Sequence, residues 1–243
     1  MMTLDIIDSG SKANGYVLHN ESEAIIIECG CPLLECEKIL NFNISKVKAV
    51  LISHEHGDHA RFAKQYASNA LKICSTKGTL DAIGIDKTFR REMRLLSLHR
   101  FGDFLVMPFK TQHDAVDPCG FLIDCPDGNR IVFATDTYYL RYTFPRVNYY
   151  MIECNYSKEI LKSNVKNGII HPTVAKRITE SHMSDDRCMS TLIANDLSET
   201  KGIILLHGSR DNSSERKPLI DKIQKITGRA VYIAQKKTNL TLL

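Results

Sequence analysis

Within six residues the chain places three histidines and an aspartate: His54, His56, Asp58 and His59, in the segment S-H-E-H-G-D-H-A. Imidazole nitrogen and carboxylate oxygen are the donors that zinc, manganese and iron accept. Nine histidines in 243 residues is an ordinary number, but three of them beside an acid in six positions is not an ordinary polar loop. Metal-assisted hydrolysis is the chemistry such a cluster would serve. The bland alternative is a surface loop that happens to be rich in His and Asp.

The cluster needs a rigid mount. The residues before it, A-V-L-I-S at 49–53, form a short apolar run of the kind that makes a buried strand. A loop leaving a strand end can aim several side chains at one point. Along the rest of the chain, β-rich runs alternate with helical spacing. Strands are expected at residues 4–7, 16–19, 24–29, 71–74, 95–98, 104–109, 120–123, 130–133, 149–153, 202–206 and 231–234. Helices are expected near 33–40, 61–68, 158–163, 173–181, 185–195 and 215–226. S-G-S-K-A-N-G at 9–15 and P-D-G-N at 126–129 carry turn chemistry. No fixed-period repeat, low-complexity tract or Pro/Gly/Ser-rich linker appears, so a single domain over residues 1–243 is expected, its sheets covered by helices.

Composition bounds the rest. Hydrophobic residues are 43% and charged residues 25%, as in soluble globular chains, and the net charge of +4 permits an anionic substrate without demanding one. The N-terminus lacks a basic region followed by an apolar one, and no apolar run approaches the roughly 20 residues of a membrane span. A cytoplasmic location without membrane contact is expected. The eight cysteines include no C-x-x-C pair and read as reduced, mostly buried thiols; Cys119 alone is a weak candidate thiol ligand.

The H-x-H-x-D-H segment after a strand resembles the signature of the metallo-β-lactamase superfamily. That resemblance implies an α/β fold, the four-layer αββα sandwich, with two divalent metals, zinc or manganese, at one sheet edge. It also implies further ligands: His113 in K-T-Q-H-D, Asp136 in F-A-T-D-T and His207 in L-L-H-G-S, each just past an expected strand. One metal would take His54, His56 and His113. The other would take Asp58, His59 and His207, with Asp136 bridging. A hydroxide shared by two metals about 3.5–4 Å apart is a strong nucleophile near neutral pH.

The phosphodiesterase branch, which includes ribonuclease Z, has a glutamate and a histidine at places similar to Glu153, in E-C-N-Y, and His182, in S-H-M-S. The implied catalytic set is Asp58, His182 and Glu153, with His182 meeting the scissile phosphate and Glu153 orienting it. The match is strongest to the YycJ-like (WalJ-like) branch, associated with 5′-to-3′ exonuclease activity on DNA. D-S-G-S-K-A-N-G-Y, E-C-N and H-G-S-R-D-N-S resemble its S-G-S-x-G-N, E-S-N and H-L-S-x-D-N segments. Ala13 and Gly208 depart from that pattern, and Glu28 stands where an aspartate is usual behind the metal loop.

The expected activity is therefore metal-dependent hydrolysis of phosphodiesters, with DNA attacked from an end as the leading substrate. Small cyclic nucleotides or cyclic phosphates are the alternative within the same chemistry; a carbon ester or lactone is the alternative outside it. About 45 residues separate Asp136 from His182, too few for a β-CASP cap, and no insertion resembles a transfer-RNA-gripping arm. Basic clusters such as Arg90, Arg91 and Arg94, or Lys236 and Lys237, read as solvated faces, and His19, His99 and His171 as ordinary structural residues. Tyr138, Tyr139 and Tyr142 could line a cleft or fill a core. A homodimer is compatible with all of this.

Overall fold

The computed structural model describes residues 1–209 and 211–243; Arg210, inside the H-G-S-R-D-N-S segment, lies outside the described residues. In chain order the elements are β1 (Met2–Gly10), β2 (Ala13–His19), β3 (Ala24–Ile27), α1 (Leu33–Ile39), β4 (Val47–Leu51), α2 (Gly57–Ala60), α3 (Ala63–Ser68), β5 (Ile73–Ser75), α4 (Lys77–Ile83), β6 (Arg90–Glu92), β7 (His99–Phe101) and β8 (Phe104–Lys110). They continue with β9 (Cys119–Asp124), β10 (Arg130–Ala134), β11 (Tyr149–Glu153), α5 (Lys158–Lys166), α6 (Pro172–Ser181), α7 (Asp185–Ile193), β12 (Gly202–Leu206), α8 (Arg216–Thr227), β13 (Ala230–Ile233) and β14 (Thr238–Leu242). Among the described residues no helix is long and apolar enough to cross a membrane.

The chain falls into two compact units. The first comprises Met1–Lys110, Ala115–Asn129 and Ala234–Leu243. Its sheet runs β14-β1-β2-β3-β4-β5-β6, antiparallel from β14 to β3 and parallel from β3 to β6. β1 and β2 meet across Ser11 and Lys12, so the turn in the 9–15 segment is confined to those two residues and the rest of it is paired strand. β3 is buried throughout, and β4 is buried over its last three residues, as parallel strands covered on both faces require. β7, β8 and β9 form an antiparallel meander in the same unit. The P-D-G-N segment turns as expected, with Gly128 at φ 88° and the Cys125 N–H donating to the Asn129 carbonyl.

The second unit comprises Thr111–Asp114 and Arg130–Ile233. Its four strands β10-β11-β12-β13 are all parallel. Every residue of β11 (YYMIE) and β12 (GIILL) is buried, and both strands are apolar throughout except for Glu153 at the end of β11. Parallel strands share one carboxyl edge, and the loops leaving β10, β11 and β12 all start there. Among its helices, α6 begins with Pro172 at its first turn under the His171 cap, and α8 ends on Gly228 at φ 66°.

Several expectations shift. Residues 95–98 form a turn, not a strand: Leu96 sits at φ 58°, and Leu96 and Leu98 are 57% and 65% exposed. α4 and the short strands β6, β7 and β14 were not anticipated. Tyr138, Tyr139 and Tyr142 are not core residues; Tyr139 is 49% exposed and the other two are partly so. His19 pairs with Asp5, His99 contacts the Arg94 backbone, and His171 caps α6, so all three are structural as expected. The eight cysteines are buried free thiols.

Candidate metal and phosphate site

In the first unit, β4 ends at Leu51 and the chain turns at Ser53 into the histidine loop. Ser53 Oγ lies 2.9 Å from His54 Nδ1, which fixes that ring. His56 stands immediately before α2, whose single turn carries Asp58 and His59. The His54 ring centroid stands 4.7 Å from that of His56 and 4.1 Å from that of His59. His54 and His59 are fully buried, and Asp58 Oδ2 lies 3.2 Å from His59 Nε2. All four residues of the motif therefore gather at one strand end.

The support behind this loop is acidic and buried. Glu28, 0% exposed, follows β3 at φ 67° and accepts the Ser53 N–H. Its Oε2 lies 3.5 Å from His59 Nδ1. The longer glutamate thus reaches both the loop backbone and the far side of an imidazole, where a carboxylate raises ligand basicity. Asn14, also 0% exposed, holds the front: its Nδ2 is 3.1 Å from His59 Nε2 and 3.4 Å from Asp58 Oδ2. Gly30 seals the contact. A Cβ there would fall 1.8 Å from the Asp58 carbonyl oxygen, so only glycine lets the two backbones meet. The loop at 115–119 braces the other flank, with the Cys119 N–H on the Ser53 carbonyl and the Val116 N–H on Glu55. Cys119 Sγ also points to that carbonyl, and burial raises its thiol well above the usual range, which disfavours the thiolate a metal would need.

In the second unit, Asp136 follows β10, Glu153 ends β11 and His207 follows β12. The carboxyl edge of the parallel strands brings them together. Donor atoms of Asp136, Glu153, His182 and His207 all lie within 4.8 Å of one another. His207 Nε2 is 3.5 Å from Asp136 Oδ1, and Asn155 Nδ2 holds the His207 ring and its carbonyl at 3.1 and 2.8 Å. His113 belongs to this unit as well. Its Nδ1–H donates to the Ser181 carbonyl at 3.0 Å, which leaves Nε2 as the acceptor nitrogen, 3.6 Å from Asp136 Oδ2. Burial lowers its pKa against the pull of Asp136, favouring the neutral ring that a metal requires.

Glu153 has a different environment. Fully buried, it accepts the Thr137 N–H at 2.7 Å and the Met183 N–H at 3.2 Å, and its Oε1 meets His182 Nδ1 at 2.7 Å. These contacts fix both oxygens of the carboxylate in place. His182, 21% exposed at its side chain, stacks on His207 at 5.4 Å with an 11° tilt between rings. Burial pulls its pKa down, but the charge and hydrogen bond of Glu153, with Asp136 and Asp114 behind, outweigh it and raise it to about 9.

Mixed imidazole and carboxylate donors, largely buried and held from behind by further polar groups, fit divalent cations such as zinc or manganese. Sequence reasoning did not single out Asn14, Gly30 or Asn155 as site residues, although all three lie in or beside segments that it quoted.

A family model described as the metallo-beta-lactamase superfamily matches residues 9–70. Exodeoxyribonuclease WalJ of Streptococcus pneumoniae serotype 2 is 26% identical, over 86% of this chain and 82% of its own. Exodeoxyribonuclease YycJ of Bacillus anthracis is 22% identical, over 86% and 83%. Among solved structures, the metallo-beta-lactamase fold protein YhfI from Bacillus subtilis superposes with a TM-score of 0.73 at 19% identity, covering 98% of both chains.

Proposed function

We propose that the chain, which matches the metallo-beta-lactamase superfamily model over residues 9–70 and shares the α/β fold of a solved metallo-beta-lactamase fold protein, is a divalent-metal-dependent phosphodiesterase that hydrolyses nucleic acid, DNA from an end above all. The relatives that cover most of its length are named as exodeoxyribonucleases, which supports the substrate class. The observation that carries the reading is the Glu153–His182 pair beside Asp136 and His207. The Glu153 carboxylate on Nδ1 favours the protonated ring of His182 and leaves Nε2 as its other donor. Such a cation donates to a phosphoryl oxygen and can pass its proton to the leaving oxygen.

In this reading His54, His56 and His113 would hold one metal, Asp58, His59 and His207 would hold the other, and Asp136 would serve both. When bound, two such ions would polarise the phosphoryl group and supply a nucleophile from water near neutral pH. Asp58 serves as ligand and as proton acceptor. Glu153 does not meet the substrate; two backbone N–H groups pin it so that His182 cannot rotate away. Residues 1–243 act as one domain, in the cytoplasm, where its thiols stay reduced.

The test is a substrate panel with zinc or manganese: single- and double-stranded DNA with free ends, cyclic nucleotides, bis-p-nitrophenyl phosphate and a lactone. DNA ends should be degraded fastest. His182→Ala should lower kcat by roughly 10²–10⁴ with little change in KM and both metals retained. Glu153→Gln should give a milder loss in the same parameter. Loss of a metal in His182→Ala would make that residue a ligand. Brisk lactone hydrolysis with no phosphodiester turnover would overturn the proposal.

A further inference from the structure

A groove of about 550 Å³ opens on the second unit, bounded by α5, α6 and the start of α7. Its floor is apolar: Tyr156, Leu161 and Ala175 form a small buried cluster with Val165 packed against it. Its rim is cationic, with Lys158, Lys162, Lys176 and Arg187 set against one carboxylate, Glu159. Lys158 and Lys162 stand about one helical turn apart, roughly 6 Å along α5. Lys158 lies 3.7 Å from Asp186 and Lys176 3.9 Å from Glu180, both as exposed pairs that hold their partners weakly. Lys162 has no ion pair among the described residues.

This groove is continuous with the segments that hold the phosphate-handling pair. α6 runs directly into His182, its C-terminal cap. Tyr156 of the floor bridges to Ser184, and the Asp185 N–H donates to the Tyr156 carbonyl at 2.9 Å. The Arg187 guanidinium lies over the Tyr138 ring, 5.4 Å from its centroid, and donates to the Tyr138 carbonyl, two residues beyond Asp136. The groove is therefore built from the same chain segments that carry Asp136 and His182, within the same unit.

We propose that this groove receives a single-stranded stretch of the nucleic-acid substrate, its phosphates on the four cations and its sugars and bases on the apolar floor. The inference rests on the nuclease reading above and names the form of nucleic acid that the site takes. A duplex presents mainly phosphates to a groove of this kind, and an apolar floor would gain nothing from it. A single strand exposes base faces that stack on or pack against such a surface while its backbone follows the positive charge. The volume lies within the range of small-molecule sites, enough for one or two nucleotides.

The experiment compares the parent chain with Lys158→Ala/Lys162→Ala, both exposed positions on α5, after circular dichroism melting confirms that the variant folds. Fluorescence anisotropy with a labelled single-stranded oligodeoxynucleotide in chelator measures binding without turnover. The variant should bind at least about 10-fold more weakly, and the slope of log affinity against log salt should become shallower by about 0.7 for each phosphate that is no longer neutralised. In the metal-loaded enzyme, kcat/KM on the oligonucleotide should fall at least about 10-fold further than on bis-p-nitrophenyl phosphate. Equal affinity and equal salt slope in parent and variant would overturn the groove while leaving the nuclease reading intact. Displacement of the oligonucleotide by poly-L-glutamate of matched charge, as readily as by unlabelled DNA, would also overturn it, in favour of an acidic protein partner. A parent enzyme that hydrolyses cyclic nucleotides or a lactone, but neither binds nor cleaves any strand, would remove the nuclease reading itself.

Discussion

Glu28, Asp136 and His207 share an uncommon backbone, with φ of 67°, 45° and 53°, and each stands at or just past the end of a strand. Left-handed geometry in non-glycine residues costs on the order of 1–3 kcal/mol and persists where the surroundings hold it. For Glu28 the hold is the Ser53 N–H and the His59 ring. Glu28→Gln keeps an acceptor for that N–H but loses the charge behind the imidazole. Metal retention should fall by roughly 10–100-fold, read by chelator competition; retention equal to the parent would show that Glu28 only fills space. His182 yields a pH prediction for the metal-free chain. Its folded pKa of about 9 lies above the roughly 6.5 of an unfolded histidine. Its contribution to stability is therefore complete below about pH 6.5 and is lost as pH rises through about 9. Melting in chelator from pH 6 to 10 should show this loss, and His182→Asn should flatten it. Histidines and acids at strand ends were legible in the sequence because few other roles need that donor set. Asn14, Gly30 and Asn155 were not, because an amide that holds a neighbour, or a glycine that admits a backbone, has no signal of its own in one sequence.

Among the elements, dominantly apolar runs announced themselves: β11 and β12 have the bounds expected of them. Residues 95–98 misled because three leucines suggest burial, whereas two of them face outward from a turn. α4 was hidden by a glycine in its first turn. Gly78 is there because a Cβ would stand 2.5 Å from Asp117 Cβ, so the helix admits the loop that braces Ser53. β14 is five residues of mostly half-exposed alternation that pair with β1, too weak a pattern to read alone. The segment at 29–30 lies close against α2, where the Cys29 N–H donates to the His59 carbonyl and Gly30 abuts Asp58. Gly30→Ala must push α2 aside. Destabilisation of about 1–3 kcal/mol is expected by denaturant titration, together with weaker metal binding at Asp58 and His59. A variant with parental stability and metal affinity would mean that α2 can shift at no cost.

For the molecule as a whole, the first count to make is metal per chain. Reconstitution with zinc or manganese followed by elemental analysis should give two. His54→Ala and Asp58→Ala should each abolish turnover while leaving the melting transition of the metal-free protein nearly in place, because neither side chain belongs to the hydrophobic core cluster of its unit. A stoichiometry that never exceeds one would remove the binuclear proposal. The buried thiols have a separate use as a clock. Cys29, Cys31, Cys36, Cys74, Cys119 and Cys125 belong to the first unit, and Cys154 and Cys188 to the second. None is more than 7% exposed, so an alkylating reagent has to wait for the fold to open. Pulse-labelling resolved by peptide mass spectrometry would give each unit its own opening rate without any engineered probe. Equal rates would mean that the two units open in one event, and a bound metal that slowed only one set would show which part of the chain it braces.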